Sequence, residues 1–286
     1  MTSIAPQRIR LLSGWFCPFA QRAWIALEES GVEFELREAL SITDDESSYH
    51  KSDELLAANP EGLVPTLCWW NDIDADTPDA ETAPSHVVTE SMNVVEFVDE
   101  ALCGGTSSLF PPLSQPFARA HCRKWIDFIC KKLVPPFYRM LVRRDEAERE
   151  AAAVELVNSV CRFGAAMAPC SRSGEETDRE SDPTESGYFL GTAFSAVDVA
   201  FAPWAYRFYV LEHFRGFDLR ARACATGGDM DAIDRFFVWM DATLARASVV
   251  ATLADKRRLL DSYRRYADDV TNSQVAMSVR SGVPLP

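Results

Sequence analysis

The run Cys17-Pro18-Phe19-Ala20 holds the residue best suited to chemistry in this chain. Arg8-Ile9-Arg10-Leu11-Leu12 before it reads as a short strand, and Gln21 to Glu29 after it reads as a helix that stops at Gly31. Cys17 is therefore predicted at a strand-to-helix turn, at or beside the helix N-cap. Pro18 marks the first helical position, because its φ is already helical and its missing N–H has no intrahelical partner to lose. A sulfur there faces unpaired backbone N–H groups and the positive end of the helix dipole, and both favour thiolate over thiol. A cysteine titrates near ~8.5 in isolation, and such placement lowers it to roughly 3.5–7.5. The pattern is C-x-x-C with Ala20 in the second position. A mixed disulfide on Cys17 would have no neighbouring thiol to resolve it, so a second thiol molecule would have to. The competing reading is a small buried hydrophobe, since unbridged cysteine is often buried. The strand, the proline and the helix together favour the reactive thiol.

The surrounding elements must hold that thiol in place. Glu33 to Glu38 alternates strictly and reads as a second strand. A polar stretch over 41–48 leads to a short helix near 52–58. Asn59-Pro60-Glu61-Gly62-Leu63-Val64-Pro65 is a turn that runs into a third strand ending at Trp69-Trp70. Residues 71–85 are acidic and read as a solvated hairpin loop. Val87-Val88 is a short fourth strand, and Thr89-Glu90-Ser91 opens a helix with Val94, Val95 and Val98 on one side. This order predicts a small α/β domain. From about 117 every periodic segment is helical. Trp125, Phe128, Ile129 and Leu133 recur at three- and four-residue steps, as do Val154, Val157, Cys161 and Ala165. Ser195 and Asp198 fit a capping box at a helix start, with Phe194 and Val199 as its staple. Phe236, Met240 and Leu244 mark another helix. Residues 171–187 read as a flexible acidic loop, and 271–286 as an aperiodic tail. The predicted division is an α/β domain over 1–103, a linker over 104–116 and an all-helical domain over 117–286.

Composition narrows the class. The chain has 286 residues, 47% hydrophobic, with a formal net charge of −14. That charge argues against nucleic acid, whose phosphates need a basic face, and against anionic membranes. No apolar run approaches the roughly 20 residues that span a bilayer. The start of the chain has no signal-peptide pattern. The eight cysteines show no paired spacing and read as reduced thiols of a cytoplasmic protein. The four histidines are scattered, so no metal site is expected, and there is no glycine-rich phosphate loop.

The chain resembles a glutathione transferase, specifically one similar to the omega class, from about residue 8 to about 266. The matches that carry the resemblance are Cys17-Pro18-Phe19-Ala20-Gln21-Arg22, Asn59-Pro60-x-Gly62-x-Val64-Pro65 and Glu90-Ser91. The resemblance implies a thioredoxin-like domain followed by an all-helical one. It implies that Cys17 forms a mixed disulfide with glutathione, where other classes activate glutathione with serine or tyrosine. Ser13 lies on the strand side of the turn and is no substitute. Pro65 resembles the family's cis-proline, which leaves the Val64 backbone able to pair with the cysteinyl part of glutathione like an added strand. Ser91, at a helix start suited to anions, matches the γ-glutamyl carboxylate, and Glu90 the adjacent ammonium. Lys51 stands where omega members carry a lysine for the glycyl carboxylate, although a solvated surface lysine explains it as well. Phe19 belongs to the same glutathione pocket.

A second-substrate site is expected between the domains, near Trp125 and Phe128, with Trp204 and Arg207 from the segment Pro203-Trp204-x-Tyr206-Arg207. The same aromatics also suit a helical core. The implied activity is glutathione-dependent thiol transfer, as deglutathionylation or dehydroascorbate-type reduction. Its partners are glutathione, as substrate and not cofactor, and a small electrophilic, disulfide or oxidised acceptor, in a homodimer. The alternative is a non-catalytic scaffold or binding protein of the same fold.

Overall fold

The computed structural model describes residues 8–70, 83–102, 109–167 and 187–286. The acidic stretches over 71–85 and 171–187 lie outside the described residues, save 83–85 and Gly187. The chain forms two compact units, Met1–Ser108 and Leu109–Pro286.

In the first unit β1 (Arg8–Ser13) leads into α1 (Pro18–Ser30), which ends at Gly31 with φ 66°, a conformation that favours glycine. Then come β2 (Glu35–Glu38), β3 (Leu40–Ile42), β4 (Tyr49–Lys51), α2 (Asp53–Ala58), β5 (Thr66–Trp70), β6 (His86–Thr89) and α3 (Ser91–Phe97). Four strands form one sheet in the order β2-β1-β5-β6. β1 runs parallel to β2 and antiparallel to β5, with Leu11 opposite both Leu36 and Leu67. Leu11 and Leu12 are fully buried, so β1 is the unit's spine. α3 and the π-turn that follows it, Val98–Leu102, pack on α1, with the predicted Val94, Val95 and Val98 all buried. Each contributes about 1.5–3 kcal/mol of apolar burial.

The polar stretch over 41–48 is more ordered than its composition suggests. β3 and β4 pair as a hairpin around it. Asp45 closes the loop by accepting from the Thr43 hydroxyl at 2.6 Å and the Ser47 amide at 3.1 Å. Those donors hold its carboxyl down at about 2. Strands of three residues are too short for alternation to reveal them.

The second unit is helical: α4 (Pro116–Phe128), α5 (Val134–Val142), α6 (Glu146–Ala165), α7 (Ala196–Tyr206), α8 (Phe208–Arg215), α9 (Leu219–Ala225), α10 (Met230–Ala245), α11 (Ala247–Val250), α12 (Lys256–Ala267) and α13 (Gln274–Ser281). Ile129–Leu133 widens into a π-turn between α4 and α5. The prolines at 135 and 136 lack the N–H groups that an α-helical register would need there. The capping box before α7 forms: Asp198 accepts from the Ser195 amide at 2.8 Å.

Three expectations change. Residues 271–286 are not a tail throughout. Ser273 caps α13, which packs on α5 with Ala276 and Val279 buried, and Arg143 donates to the Val279 carbonyl. Leu109 and Phe110, read as linker, are buried in the helical unit, with Arg119 and Arg123 over the Phe110 ring. In α6 the buried stripe runs through Ala153, Leu156, Val157, Val160 and Gly164, while Val154 is exposed. Gly164 sets that face, since a Cβ there would stand 2.1 Å from the Ala232 carbonyl oxygen of α10.

Candidate active site

Cys17 is the N-cap of α1, in extended conformation at φ −82° and ψ 115°, with Pro18 beginning the helix. Its amide donates to the Gly14 carbonyl at 2.8 Å, closing a tight turn, and its carbonyl accepts the first helical bond from Gln21 at 3.1 Å. Neighbours hold this turn. The Trp15 amide donates to Glu38 at 3.1 Å, and buried Phe16 stacks on Tyr49 at 5.3 Å. None of the six described cysteines forms a disulfide. The environments differ: burial pushes the Cys68 and Cys122 thiols up to about 11, whereas Cys17 is half-buried at a helix start.

The turn from Asn59 to Pro65 is tied by one side chain. Asn59 donates to the Leu63 carbonyl and the Thr66 hydroxyl, both at 3.2 Å, and accepts from the Glu61 amide. The Val64–Pro65 bond is cis. No hydrogen bond among the described residues engages the Val64 amide or carbonyl. Lys51 is exposed and lies across the same turn, its Nζ donating to the Glu61 carbonyl at 2.9 Å. Gly62 makes room for it: φ is 61°, and a Cβ would meet Lys51 Cδ at 2.5 Å. Lys51 and Val64 are thirteen positions apart in the chain, and the contact of Lys51 with Gly62 brings Lys51 onto the turn that carries Val64.

Glu90 precedes α3 at φ 69° and ψ 120°, a conformation costing about 1–3 kcal/mol for a residue with a Cβ. Such strain survives only where the surroundings enforce it, and it clusters at functional sites. Ser91 begins α3 and is 8% exposed. Arg22, on α1 and 1% exposed, donates to Ser91 Oγ at 3.2 Å and lies over the Phe19 ring at 5.6 Å. Cys17, Phe19 and Ser91 therefore belong to one pair of packed helices, with Arg22 between them. Arg22, Asn59 and Glu38 were not singled out from sequence as site residues. Arg22 and Asn59 stand inside the quoted motifs, which was their only signal; Glu38 had none.

The four expected second-substrate residues all lie in the helical unit, where they are largely core. Trp125 is 5% exposed and packs its ring against Phe128 at 5.0 Å and Phe189 at 5.4 Å. Trp204 and Arg207 are 0% and 1% exposed, and Arg207 donates to the Pro203 carbonyl at 2.6 Å. Trp125, Trp204 and Arg207 therefore present almost no surface, as residues of the helical core do. Their spacing is that of a buried helix face, and a ligand-facing stripe has the same period. Phe128 alone of the four is half-buried, with Arg162 over its ring at 5.0 Å.

Residues 16–101 match the family described as glutathione S-transferase, N-terminal domain. The chain is 31% identical over 251 residues to glutathione S-transferase U22 of Arabidopsis thaliana, covering 87% of this chain and 92% of the relative. It is 34% identical over 215 residues to a probable glutathione S-transferase of Oryza sativa subsp. japonica, covering 73% and 78%. Among solved structures it resembles glutathione transferase Omega 3C from Trametes versicolor, with TM-score 0.68, 28% identity and 93% of each chain covered. It also resembles rice GST1, solved in complex with glutathione, with TM-score 0.66, 26% identity and 92% and 97% covered.

Proposed function

The chain belongs to the glutathione S-transferase family, and on that premise we propose that it is an omega-like, glutathione-dependent thiol transferase with Cys17 as nucleophile. The observation that carries this reading is the N-cap position of Cys17 ahead of Pro18. Glutathione lies along the first unit. Its cysteinyl backbone pairs with the Val64 amide and carbonyl, which are otherwise unengaged. Its γ-glutamyl carboxylate takes the Ser91 hydroxyl and its ammonium the exposed Glu90. Lys51, with three donors of which one serves Glu61, reaches the glycyl carboxylate.

The reaction is an exchange of sulfurs. Cys17 thiolate attacks the glutathione sulfur of a glutathionylated substrate. The substrate's S–S bond breaks, its thiolate leaves and takes a proton, and a Cys17–glutathione disulfide forms. A second glutathione, as thiolate, attacks the glutathionyl sulfur and restores Cys17 thiolate with release of glutathione disulfide. The net change reduces the substrate sulfur to a thiol and oxidises the second glutathione, whose sulfur ends in the disulfide with the glutathionyl group taken from the substrate. Ala20 cannot resolve the intermediate internally, so the cycle depends on that second glutathione.

Intact mass after exposure to glutathione disulfide, with peptide mapping, tests the reading together with a thioltransferase assay. One glutathione adduct on Cys17 is expected, and Cys17→Ala should abolish turnover while keeping the fold. An adduct on another cysteine, or activity retained by Cys17→Ala, would overturn the mechanism. Glutathione binding without adduct or turnover would leave the non-catalytic binding protein.

A further inference from the structure

Arg22 sits one turn into α1 with only 1% of its surface exposed. Its Nη1 lies 3.2 Å from Ser91 Oγ, across 69 positions of sequence. Its guanidinium carbon stands 5.6 Å from the centre of the Phe19 ring. A guanidinium donates and never accepts. Ser91 Oγ is therefore the acceptor in this pair, and the hydroxyl's own proton must point elsewhere. No other hydrogen bond among the described residues engages that hydroxyl. Accepting from a cation also polarises a hydroxyl into a better donor.

We propose that Arg22 is a positioning residue for glutathione, turning the Ser91 hydroxyl proton toward the γ-glutamyl carboxylate and strengthening it as a donor. This inference rests on the glutathione reading above. A guanidinium suits the task better than an ammonium. Its planar fork lies over the Phe19 ring while one arm points at Ser91, which fixes the direction from which the hydroxyl accepts, whereas a lysine ammonium rotates freely. The rival account is structural only: a buried charge whose removal disturbs the packing of α1 on α3 and harms every ligand alike.

Isothermal titration on the full chain, under reducing conditions, separates the two. The ligands are glutathione and γ-aminobutyryl-cysteinyl-glycine, which lacks only the γ-glutamyl carboxylate. The proteins are wild type, Arg22→Gln, Ser91→Ala and the double variant. Arg22→Gln should weaken glutathione roughly 5- to 20-fold, less than the full loss of a hydrogen bond to a charged group, and shift the analogue by less than about twofold. In the Ser91→Ala background the Arg22→Gln loss should largely disappear. Arg22→Lys keeps the buried charge and serves if the glutamine variant does not fold; it should show the same selectivity at smaller size. Equal losses for both ligands, or losses that add in the double variant, overturn the proposal. Wild type binding both ligands equally also overturns it while leaving the glutathione reading intact. Wild type binding neither overturns that reading, and the positioning role with it.

Discussion

At the scale of single residues, what separates Cys17 from its neighbours is the source of its environment. Cys68 and Cys122 sit in apolar packing, and burial holds their thiols protonated up to about 11. Cys17 sits at the N-cap of α1, at the positive end of the helix dipole, which favours thiolate. Iodoacetamide labelling across pH should therefore modify Cys17 first, with a midpoint well below the ~8.5 of an isolated thiol. Cys68 and Cys122 should lag to alkaline pH. A Cys17 midpoint at or above the isolated value would remove the physical basis for its role as nucleophile. Ser91 makes a different kind of prediction. Its hydroxyl binds substrate and touches no reacting atom, so Ser91→Ala should raise the KM for glutathione several-fold and leave kcat nearly unchanged. A matching fall in kcat at constant KM would assign it a transition-state role instead. Lys51→Ala should have the smaller effect, since exposed ion pairs contribute only about 0–1 kcal/mol.

Individual elements are stabilised at their ends. The start of α7 is the most heavily bonded. Asp198 is fully buried and accepts from the Phe189 amide at 2.8 Å, the Ser195 amide at 2.8 Å, the Ser195 hydroxyl at 2.7 Å and Trp239 Nε1 at 2.6 Å. Burial pushes its carboxyl upward, and these four donors pull against that shift. Asp198→Ala would strand all four donors in the core. Each stranded donor costs about 1–3 kcal/mol, partly relieved by relaxation, so a total loss of roughly 2–4 kcal/mol is expected from urea unfolding. Asp198→Asn should lose less, because its amide oxygen still accepts. Loss below about 1 kcal/mol for the alanine variant would mean that the α7 start is held by its apolar contacts alone. α13 shows the same logic at lower intensity: a serine cap, two buried side chains and one arginine on a helix carbonyl suffice to dock eight residues.

For the whole molecule, alkaline pH is the condition that acts on both units together. Cys68 lies in the α/β unit and Cys122 in the helical one, and both thiols titrate higher in the folded chain than the ~8.5 of the unfolded one. Between those values the unfolded chain has released protons that the folded chain still holds. Their contribution to stability is thus complete below about pH 8.5 and is lost as pH climbs toward about 11. The net charge of −14 grows more negative over the same range and adds self-repulsion. The melting temperature should fall steadily above pH 8.5, and Cys68→Ala together with Cys122→Ala should flatten the fall relative to wild type. An unchanged slope in that double variant would place the alkaline loss in other groups.

Much of the fold was legible because its signals are local. Pro18 and Gly31 bracket α1, and Ser195 with Asp198 opens α7, each through chemistry reaching no further than four residues along the chain. Asn59 to Pro65 is likewise local, a turn tied by the Asn59 side chain to Glu61, Leu63 and Thr66. These relations hold wherever the segment lies, so residue type and spacing determine them. The tertiary structure alone decided which faces are buried and which distant groups meet. Periodicity placed α6 but not its buried stripe, because Gly164 against the Ala232 carbonyl sets the rotation. The resemblance marked Trp204 and Arg207 without distinguishing a ligand-facing surface from a core, and both are buried in the helical unit. Arg22 and Ser91 lie 69 positions apart, and Lys51 crosses Gly62 from another strand. Such contacts depend on how α1, α3 and β4 pack, and packing is a property of all the partners at once.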